Sequence, residues 1–460
     1  MSRNHQAPNP KHQTSTKSQA PNVWSLEFGI WNLFGIWNLV IGIFVRCVFS
    51  GIIGMWRQVL TSLLCGALLS GCATSQPCRV ATKPVLRTQS IAWHLFDTAV
   101  LSQIEQGLNL VRVVRKAAGV PPPSVNLTDG QVPDSSFFTN RDLEAFSPEA
   151  VRKGPTRPGE VAEPPFVITR LKTEGKTGGF FVTDAKGRRF LFKLDLAGFP
   201  ELGTGAEVVT SKLLYALGYH VPSYEIVVVK VEDLQLSPEL ANDRQAELAR
   251  LLTGRVHEGV VRVSASRIVE GEILGPFRFK RHRDCAELRA LKLAYAWVNN
   301  IDAKDHNTLL VWRRDHGIGY LIDFGSSLGA DAATGPKHPC AGWVNRVDLK
   351  EWTLAWLTLG LRKTGCDPRE TPWSPAVGLL SPRLDPIRWK PYEPNLAFEE
   401  ITKAEARWMA ARLARFSRAQ LHAAVAAGQY HDPRDAEHLV EVLEARRAAI
   451  VKAYLHEHHQ

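Results

Sequence analysis

The sequence predicts an α+β protein in two lobes, a β-rich amino-terminal lobe carrying one helix and a helical carboxy-terminal lobe, and three observations lead there. Residues 166–196 (FVITRLKTEGKTGGFFVTDAKGRRFLFKLDL) form apolar runs separated by turn-forming clusters, the texture of a hairpin series. From Ala286 the apolar spacing becomes helical, in AELRALKLAYAWVNN and again at Lys403–Ala414 and Asp435–Tyr454. Acidic, amide and basic side chains gather in the loops between these textures, at 302–307 and 323–325.

In chain order, the hairpin series reads strand, Gly-rich turn, strand, Asp-Ala-Lys-Gly turn, strand. The segment ELGTGAEVVTSKLLYALGYHVP then sets Val208, Leu213, Leu214 and Leu217 on one helical face and stops at Gly218, ahead of Pro222. A strand follows at Tyr224–Val231, a polar helical segment over Pro238–Leu252, and a strand pair in VVRVSASRIVEG. The long helix from Ala286 leads to a loop and two short β segments, TLLVW and GYLIDF. Beyond Gly329, Trp and Pro are frequent, and Leu439, Val442, Leu443 and Ile450 suit packing onto a helical lobe. Upstream, Ile91–Ala117 carries Leu95, Val100, Leu101, Ile104, Leu108, Leu110, Val111 and Val114 at roughly helical spacing, and 118–165 reads as an irregular Pro-rich connection. The mature chain thus divides into a tether, helix and connection (72–165), an amino-terminal lobe (166–275) and a helical lobe (276–460).

The 460 residues are 45% hydrophobic and 22% charged, which excludes disordered, collagen-like and multi-span membrane chains. The net charge of +10 suggests an anionic partner at first sight, but residues 1–71 hold five basic side chains against one acid, leaving 51 against 45 for residues 72–460. With no interleaved aromatic pattern, no nucleic-acid partner is expected.

Residues 2–22 are polar and lack periodicity, as disordered segments do. A tandem FGIWNL repeat begins at Phe28 and continues uncharged to Val45, long enough to cross a bilayer. After Met55 come MWRQ, the apolar VLTSLLCGALL and then Ser70-Gly71-Cys72, the order of a secretory signal peptide. Leu69-Ser-Gly-Cys72 resembles the lipobox of bacterial lipoproteins, which implies lipidation of Cys72 and a cell-envelope location. Ala73 is not the Asp associated there with inner-membrane retention, so the expectation is an outer membrane-anchored lipoprotein. The alternative is an inner-membrane protein with a transmembrane helix at 28–45. Residues 1–54 read as an overextended start or leader, and 55–71 as the signal peptide. Cys78, Cys285, Cys340 and Cys366 show no metal-like spacing and allow three disulfide connectivities, among which the sequence does not choose.

The chemistry-bearing residues have a suggestive order. Lys193 lies on the strand FLFKL with Phe192 and Leu194 on the opposite face, and Glu207 begins the one helix of the small lobe. Asp302-Ala-Lys304-Asp-His-Asn307 follows the long helix, and Asp323-Phe324-Gly325 follows a strand 16 residues after Asn307. Close carboxylates on such loops are costly without a cation.

This order, D-x-K-x-x-N followed by Ile322-Asp-Phe-Gly325, resembles the catalytic and metal-binding loops of the protein-kinase-like fold, closest to its phosphatidylinositol 3/4-kinase and HipA-like branch, over residues 166–420. The resemblance implies ATP and Mg2+ as cofactors and phosphoryl transfer to a protein, lipid head group or small alcohol. It assigns Lys193 to the α- and β-phosphates, paired with Glu207, and Asp302 to the acceptor hydroxyl's proton. Lys304 neutralises the transferring group, Asn307 and Asp323 hold the metal, and Gly175, Gly178 and Gly179 in EGKTGG admit backbone N–H groups to the phosphates.

Ordinary alternatives stand beside these roles: a solvent-facing strand lysine for Lys193, a charge–dipole preference for Glu207, and a plain hairpin turn for the glycines. His306 reads as a second acid/base or a structural hydrogen-bonding residue, and Arg278, Lys280, Arg281, His282 and Arg283 as an anion-binding cluster or a solvated loop. Asn300-Ile301 replaces the His-Arg pair usual in protein kinases, no APE motif follows, and Lys304 stands where lipid kinases often place His. Because an exported domain meets little ATP, the second function class is a catalytically inactive kinase-like lipoprotein acting as a binding scaffold.

Overall fold

The computed structural model describes residues 78–85, 91–118, 122–172, 177–240, 244–346, 353, 356–358 and 365–456, all within the unit Ser75–Gln460. The leader, the helix expected at 28–45, Cys72 and Gly175 lie outside the described residues.

Where one helix is expected upstream, the chain forms α1 (Ile91–Phe96), a π turn (Asp97–Leu101), α2 (Ser102–Leu108) and α3 (Leu110–Ala117). The break before α3 has a local cause: the Asn109 side chain accepts from Arg112 N at 3.2 Å, capping a new helix start. The connection at 122–165 is irregular apart from α4 (Pro148–Lys153), which Ser147 caps and Pro148 opens. It is more than a tether, since Val132, Phe137, Phe138, Leu143 and Val151 are buried in the main core.

The hairpin series forms as β1 (Phe166–Leu171), β2 (Gly179–Thr183) and β3 (Arg189–Leu194), all antiparallel. Then follow α5 (Leu202–Leu217), β4 (Tyr224–Lys230), β5 (Leu234–Leu236), α6 (Gln245–Leu252), β6 (Val256–His257) and β7 (Val260–Arg267). Among the described residues the sheet runs β4-β7-β3-β2-β1-β5, with β6 on β7. The polar helical segment is shorter than expected, and VVRVSASR is one continuous strand whose hairpin partner is β6. At Gly218, which ends α5 with φ +119°, an added Cβ would meet Thr139 O at 2.6 Å and the Phe138 ring, so the stop read from the sequence is also a packing requirement.

β8 (Glu272–Gly275) pairs with β9 (Thr308–Arg313), which pairs with β10 (His316–Leu321). The boundary expected at 275 therefore parts β8 from its sheet partners, a long-range pairing invisible to local periodicity. The helical region comprises α7 (Ala286–Trp297), the short strands β11 (Ala330–Asp331) and β12 (Gly335–Pro336), then α8 (Leu396–Glu399), α9 (Lys403–Ala414), α10 (Arg418–Ala426) and α11 (Pro433–Leu455). The whole is α+β, with a β-rich sheet first and helices after.

Two apolar clusters hold it. One lies between the first sheet and α6, around Phe166, Phe180, Phe192, Val263 and Leu248. The larger one joins α5, α7 and the later helices. Cys78–Cys285 and Cys340–Cys366 form disulfides, selecting one of the three connectivities. Among the described residues no helix is long and apolar enough to cross a membrane.

Candidate functional site

Strand alternation sets the first residue. On β3, Phe190, Phe192 and Leu194 enter the α6-side cluster, so Lys193 turns to the other face, where α5 packs. Its side chain is only 6% exposed and its Nζ pairs with Glu207 Oε1 and, at 3.0 Å, with Asp323 Oδ1. Glu207 lies inside α5 rather than at its start, and it is buried. Helix-dipole stabilisation fades within the first turn, so the ion pair accounts for this carboxylate better than the dipole does.

The sheet also fixes that carboxylate. Ser264 on β7 is the ladder partner of Lys193, and its hydroxyl donates to Glu207 Oε2 at 2.8 Å. Asp195, two residues beyond Lys193 in the chain, accepts from Glu201 N (2.9 Å), Gly203 N (2.8 Å), Thr204 N (2.8 Å) and Thr204 Oγ1 (2.8 Å). One buried carboxylate thereby ties the start of α5 to the end of β3, which sets Glu207 against Lys193.

From the helical side, α7 delivers the loop. Arg446 of α11 donates to Trp297 O (2.8 Å) and Ala296 O (2.5 Å), satisfying carbonyls at the carboxy-terminal end of α7. The chain then turns at Asn299, φ +50°. Lys304 Nζ lies 2.8 Å from Asp302 Oδ2, Asn307 Nδ2 donates to Asp302 O at 2.8 Å, and Ile322 N donates to Asn307 O at 3.0 Å. The last bond joins the two loops beside the β9–β10 hairpin. Asp323 adopts φ +61°, while Phe324 is buried with its ring 5.8 Å from that of Tyr224. Buried Lys337 donates to Asn299 O (2.5 Å) and Leu328 O (2.9 Å), pinning both loops from behind.

The charges interact as one group. Burial opposes ionisation of Asp323, but Lys193, Lys172 and Lys304 outweigh it and hold its carboxyl at about 2. Burial likewise opposes the charge on Lys193, yet Asp323 and Glu207 raise its pKa. For Asp302 burial wins over the attraction of Lys304, and the pKa is raised from its ordinary value. Lys172 is lowered by burial and by repulsion from Lys193. With side chains 33% and 22% exposed, Asp323 and Asp302 are the accessible carboxylates, and Glu207 is not.

The donor set suits a hard cation. An ionised Asp323 and the amide oxygen of Asn307, whose Nδ2 is already committed, offer oxygen ligands of the kind Mg2+ takes.

The structure therefore brings together Lys193, Glu207, Asp302, Lys304, Asn307 and Asp323. Of the glycines, Gly179 has a packing role: it is the ladder partner of Lys193, and a Cβ there would overlap the Phe192 carbonyl oxygen. His306 meets His94 edge-on with ring centroids 4.6 Å apart. Two members of the basic cluster have partners within the protein: Lys280 pairs with Glu105, and half-buried His282 lies against the rings of Phe137 and Phe277, its pKa pushed down to about 4 by burial and Arg281. Sequence reasoning missed Asp195, Ser264 and Lys172. The i, i+2 spacing of Lys193 and Asp195 was a usable signal, whereas the β3–β7 pairing that brings in Ser264 has none in local sequence.

No family model and no curated protein matches the chain. Among solved structures it is similar to the crystal structure of a Helicobacter pylori proinflammatory kinase CtkA, with 11% identity and a TM-score of 0.34, over 63% of this chain and 96% of that chain. A likeness of that size assigns neither a role nor a residue here.

Proposed function

We propose that the protein is an ATP- and Mg2+-dependent phosphotransferase of the protein-kinase-like class, acting on an alcohol and anchored at the cell envelope. One observation carries the reading: buried Lys193 is held between Glu207 and Asp323, with Asp302, Lys304 and Asn307 on the adjoining loop.

In this reading Lys193 contacts the nucleotide phosphates while Glu207 keeps its ammonium in place. Asp302 Oδ accepts the proton of the acceptor hydroxyl, and its raised pKa makes it a stronger base than an exposed carboxylate. Lys304 sits beside it and offsets charge that builds on the transferred group. Asn307 and Asp323 would hold Mg2+, which would supply positive charge to offset that of the phosphates.

Two disulfides support export, because such bonds persist in oxidising compartments. They agree with lipidation of Cys72 and an outer-membrane anchor, the helix at 28–45 being the other route to the membrane.

The test is a thermal shift on the full chain with ATP and Mg2+, beside Asp323→Ala. Stabilisation at saturating nucleotide that Asp323→Ala abolishes is the expected result. No stabilisation of the unsubstituted chain overturns the enzyme and leaves the binding scaffold.

A further inference from the structure

In the helices after the tether, several of the described polar side chains are turned inward: His94 lies 2.9 Å from Glu393, Asp97 is 3.9 Å from Lys280, and Arg112 bonds to both Asp284 oxygens at 3.0 Å and pairs with Glu400. Among the described apolar side chains of these helices, Trp93 and Phe96 on α1, Ile104 and Leu108 on α2, and Val111, Val113 and Val114 on α3 are exposed. Leu108, Val111 and Val114 are 68%, 69% and 64% exposed, so these side chains gain almost nothing from the fold. The pairs Trp93 and Phe96, Ile104 and Leu108, and Val111 and Val114 are spaced i, i+3 or i, i+4, and so each lies on one side of its own helix. An amphipathic helix ordinarily buries its apolar side, and an outward apolar stripe marks a surface that meets another apolar phase.

The position of this stripe in the chain indicates which phase. Cys78 is bonded to Cys285, and Asp284, the neighbour of Cys285, is the residue that Arg112 grips. The stripe is thus fastened beside the point where the tether joins the domain. Only five residues separate Cys72 from Cys78, a span of at most about 20 Å. A lipid on Cys72 therefore holds this part of the domain within reach of the bilayer surface.

We propose that α1–α3 form an interfacial membrane-docking surface, with Trp93, Phe96, Ile104, Leu108, Val111 and Val114 entering the boundary between lipid head groups and acyl chains. This rests on the envelope-anchored reading. It adds a second contact to the lipid on Cys72 and sets how the domain lies on the bilayer surface. The docked face also fixes the orientation of the site, because His94 on α1 packs against His306 of the Asp302 loop.

The experiment uses the full chain in vesicles of phosphatidylethanolamine and phosphatidylglycerol, with an environment-sensitive fluorophore on Val111→Cys and, as control, on Val228→Cys, which is exposed on β4. Flotation with the vesicles reads the anchor, and fluorescence reads the face. Docking predicts a blue-shifted label at 111, with emission at least about twofold weaker when the acyl chains are brominated, and no change at 228. Adding Leu108→Glu and Val114→Glu should return the label at 111 to a water-like spectrum while the chain still floats. A chain that floats with a water-like label at 111 overturns the docking surface and leaves the anchor standing. A chain that does not float overturns the anchor and the docking with it. A blue shift in lipid-free detergent that grows with protein concentration, without bromine quenching in vesicles, overturns docking in favour of a second copy of this chain.

Discussion

Ser264 stands directly across the β3–β7 ladder from Lys193, and its hydroxyl, 2.8 Å from Glu207 Oε2, fixes the carboxylate with which Lys193 pairs. Strand register, not loop geometry, thus sets the central ion pair of the candidate site.

Removing members of this group should have graded effects. Ser264→Ala leaves one carboxylate oxygen without that donor, for a loss of about 1–3 kcal/mol. Lys193→Met leaves Glu207 buried and unpaired, for about 3–5 kcal/mol. Lys193→Met with Glu207→Gln should recover part of that, because no uncompensated charge remains between strand and helix. Urea unfolding midpoints check the order, and a double variant weaker than the sum of the singles would contradict it.

Asp195 accepts four hydrogen bonds from the first turn of α5 and its approach, although it contacts none of the proposed ligand groups. Asp195→Ala should cost about 2–4 kcal/mol through lost caps and an exposed set of orphan N–H groups. It should also weaken the nucleotide-dependent thermal shift, because Glu207 rides on the same helix. Asp195→Asn, which keeps an acceptor oxygen, should restore most of the stability. An unaltered shift in Asp195→Ala would separate α5 placement from nucleotide binding.

How far the sequence could be read depends on the range of each interaction. The hairpin series, the stop of α5 at Gly218 and the helices from Lys403 and Asp435 were legible because periodicity and turn chemistry act over a few residues. Lys193, Asp302, Asn307 and Asp323 were legible because they sit in short ordered motifs. What stayed hidden was set by pairing across distance: β8 with β9, Ser264 with Lys193, Cys78 with Cys285. Glu207 was found for its type but misplaced at the helix start, since the turn at Glu201 (φ +70°) begins α5 five residues earlier than the acid suggests. The connection at 122–165 looked loose by composition, and Phe137 and Phe138 made it part of the core.

Gly178 and Gly179 separate packing from ligand approach. A Cβ at Gly179 would overlap the backbone oxygen of Phe192, which cannot move without parting β2 from β3. At Gly178 it would meet only Leu251 Cδ2, at 3.1 Å, a side-chain end that can shift. Gly179→Ala should therefore destabilise by about 1–3 kcal/mol, and Gly178→Ala by under about 1 kcal/mol. If Gly178 serves phosphates, its variant should lose nucleotide-dependent stabilisation while keeping its unfolding midpoint. Denaturation and thermal shift on the same two proteins distinguish the cases.

The disulfides close loops of very different size, with a sequence separation of 207 for Cys78 and Cys285 and of 26 for Cys340 and Cys366. Chain-entropy arguments give about 5 and about 3.5 kcal/mol for such loops. Mild reduction should therefore lower the melting temperature, and Cys78→Ser with Cys285→Ser should lower it more than Cys340→Ser with Cys366→Ser. Equal shifts from the two pairs would show that residual structure in the unfolded chain, not loop size, governs the effect.

His94 and Glu393, 2.9 Å apart, connect α1 to the segment beside the Asp302 loop, with Asp305, Lys304 and the ring of His306 around them. Burial lowers the imidazole pKa, but Glu393 and Asp305 outweigh burial and Lys304, so the folded value lies above the ordinary 6.5. A raised folded pKa means that the contact's contribution is fully present below the unfolded value and lost as pH rises through the folded one. Attachment of α1 should thus loosen on going from pH 6 toward pH 8, while the core stays unchanged. Hydrogen exchange of residues 91–96, corrected for intrinsic rates, should quicken over that interval, and Glu393→Gln should flatten the dependence by removing the charge that holds the proton. If exchange at 91–96 is independent of pH in the unsubstituted chain, the ion pair does not hold α1, and the polar anchors elsewhere in the segment, such as the Asp284–Arg112 bridge on α3, carry it instead.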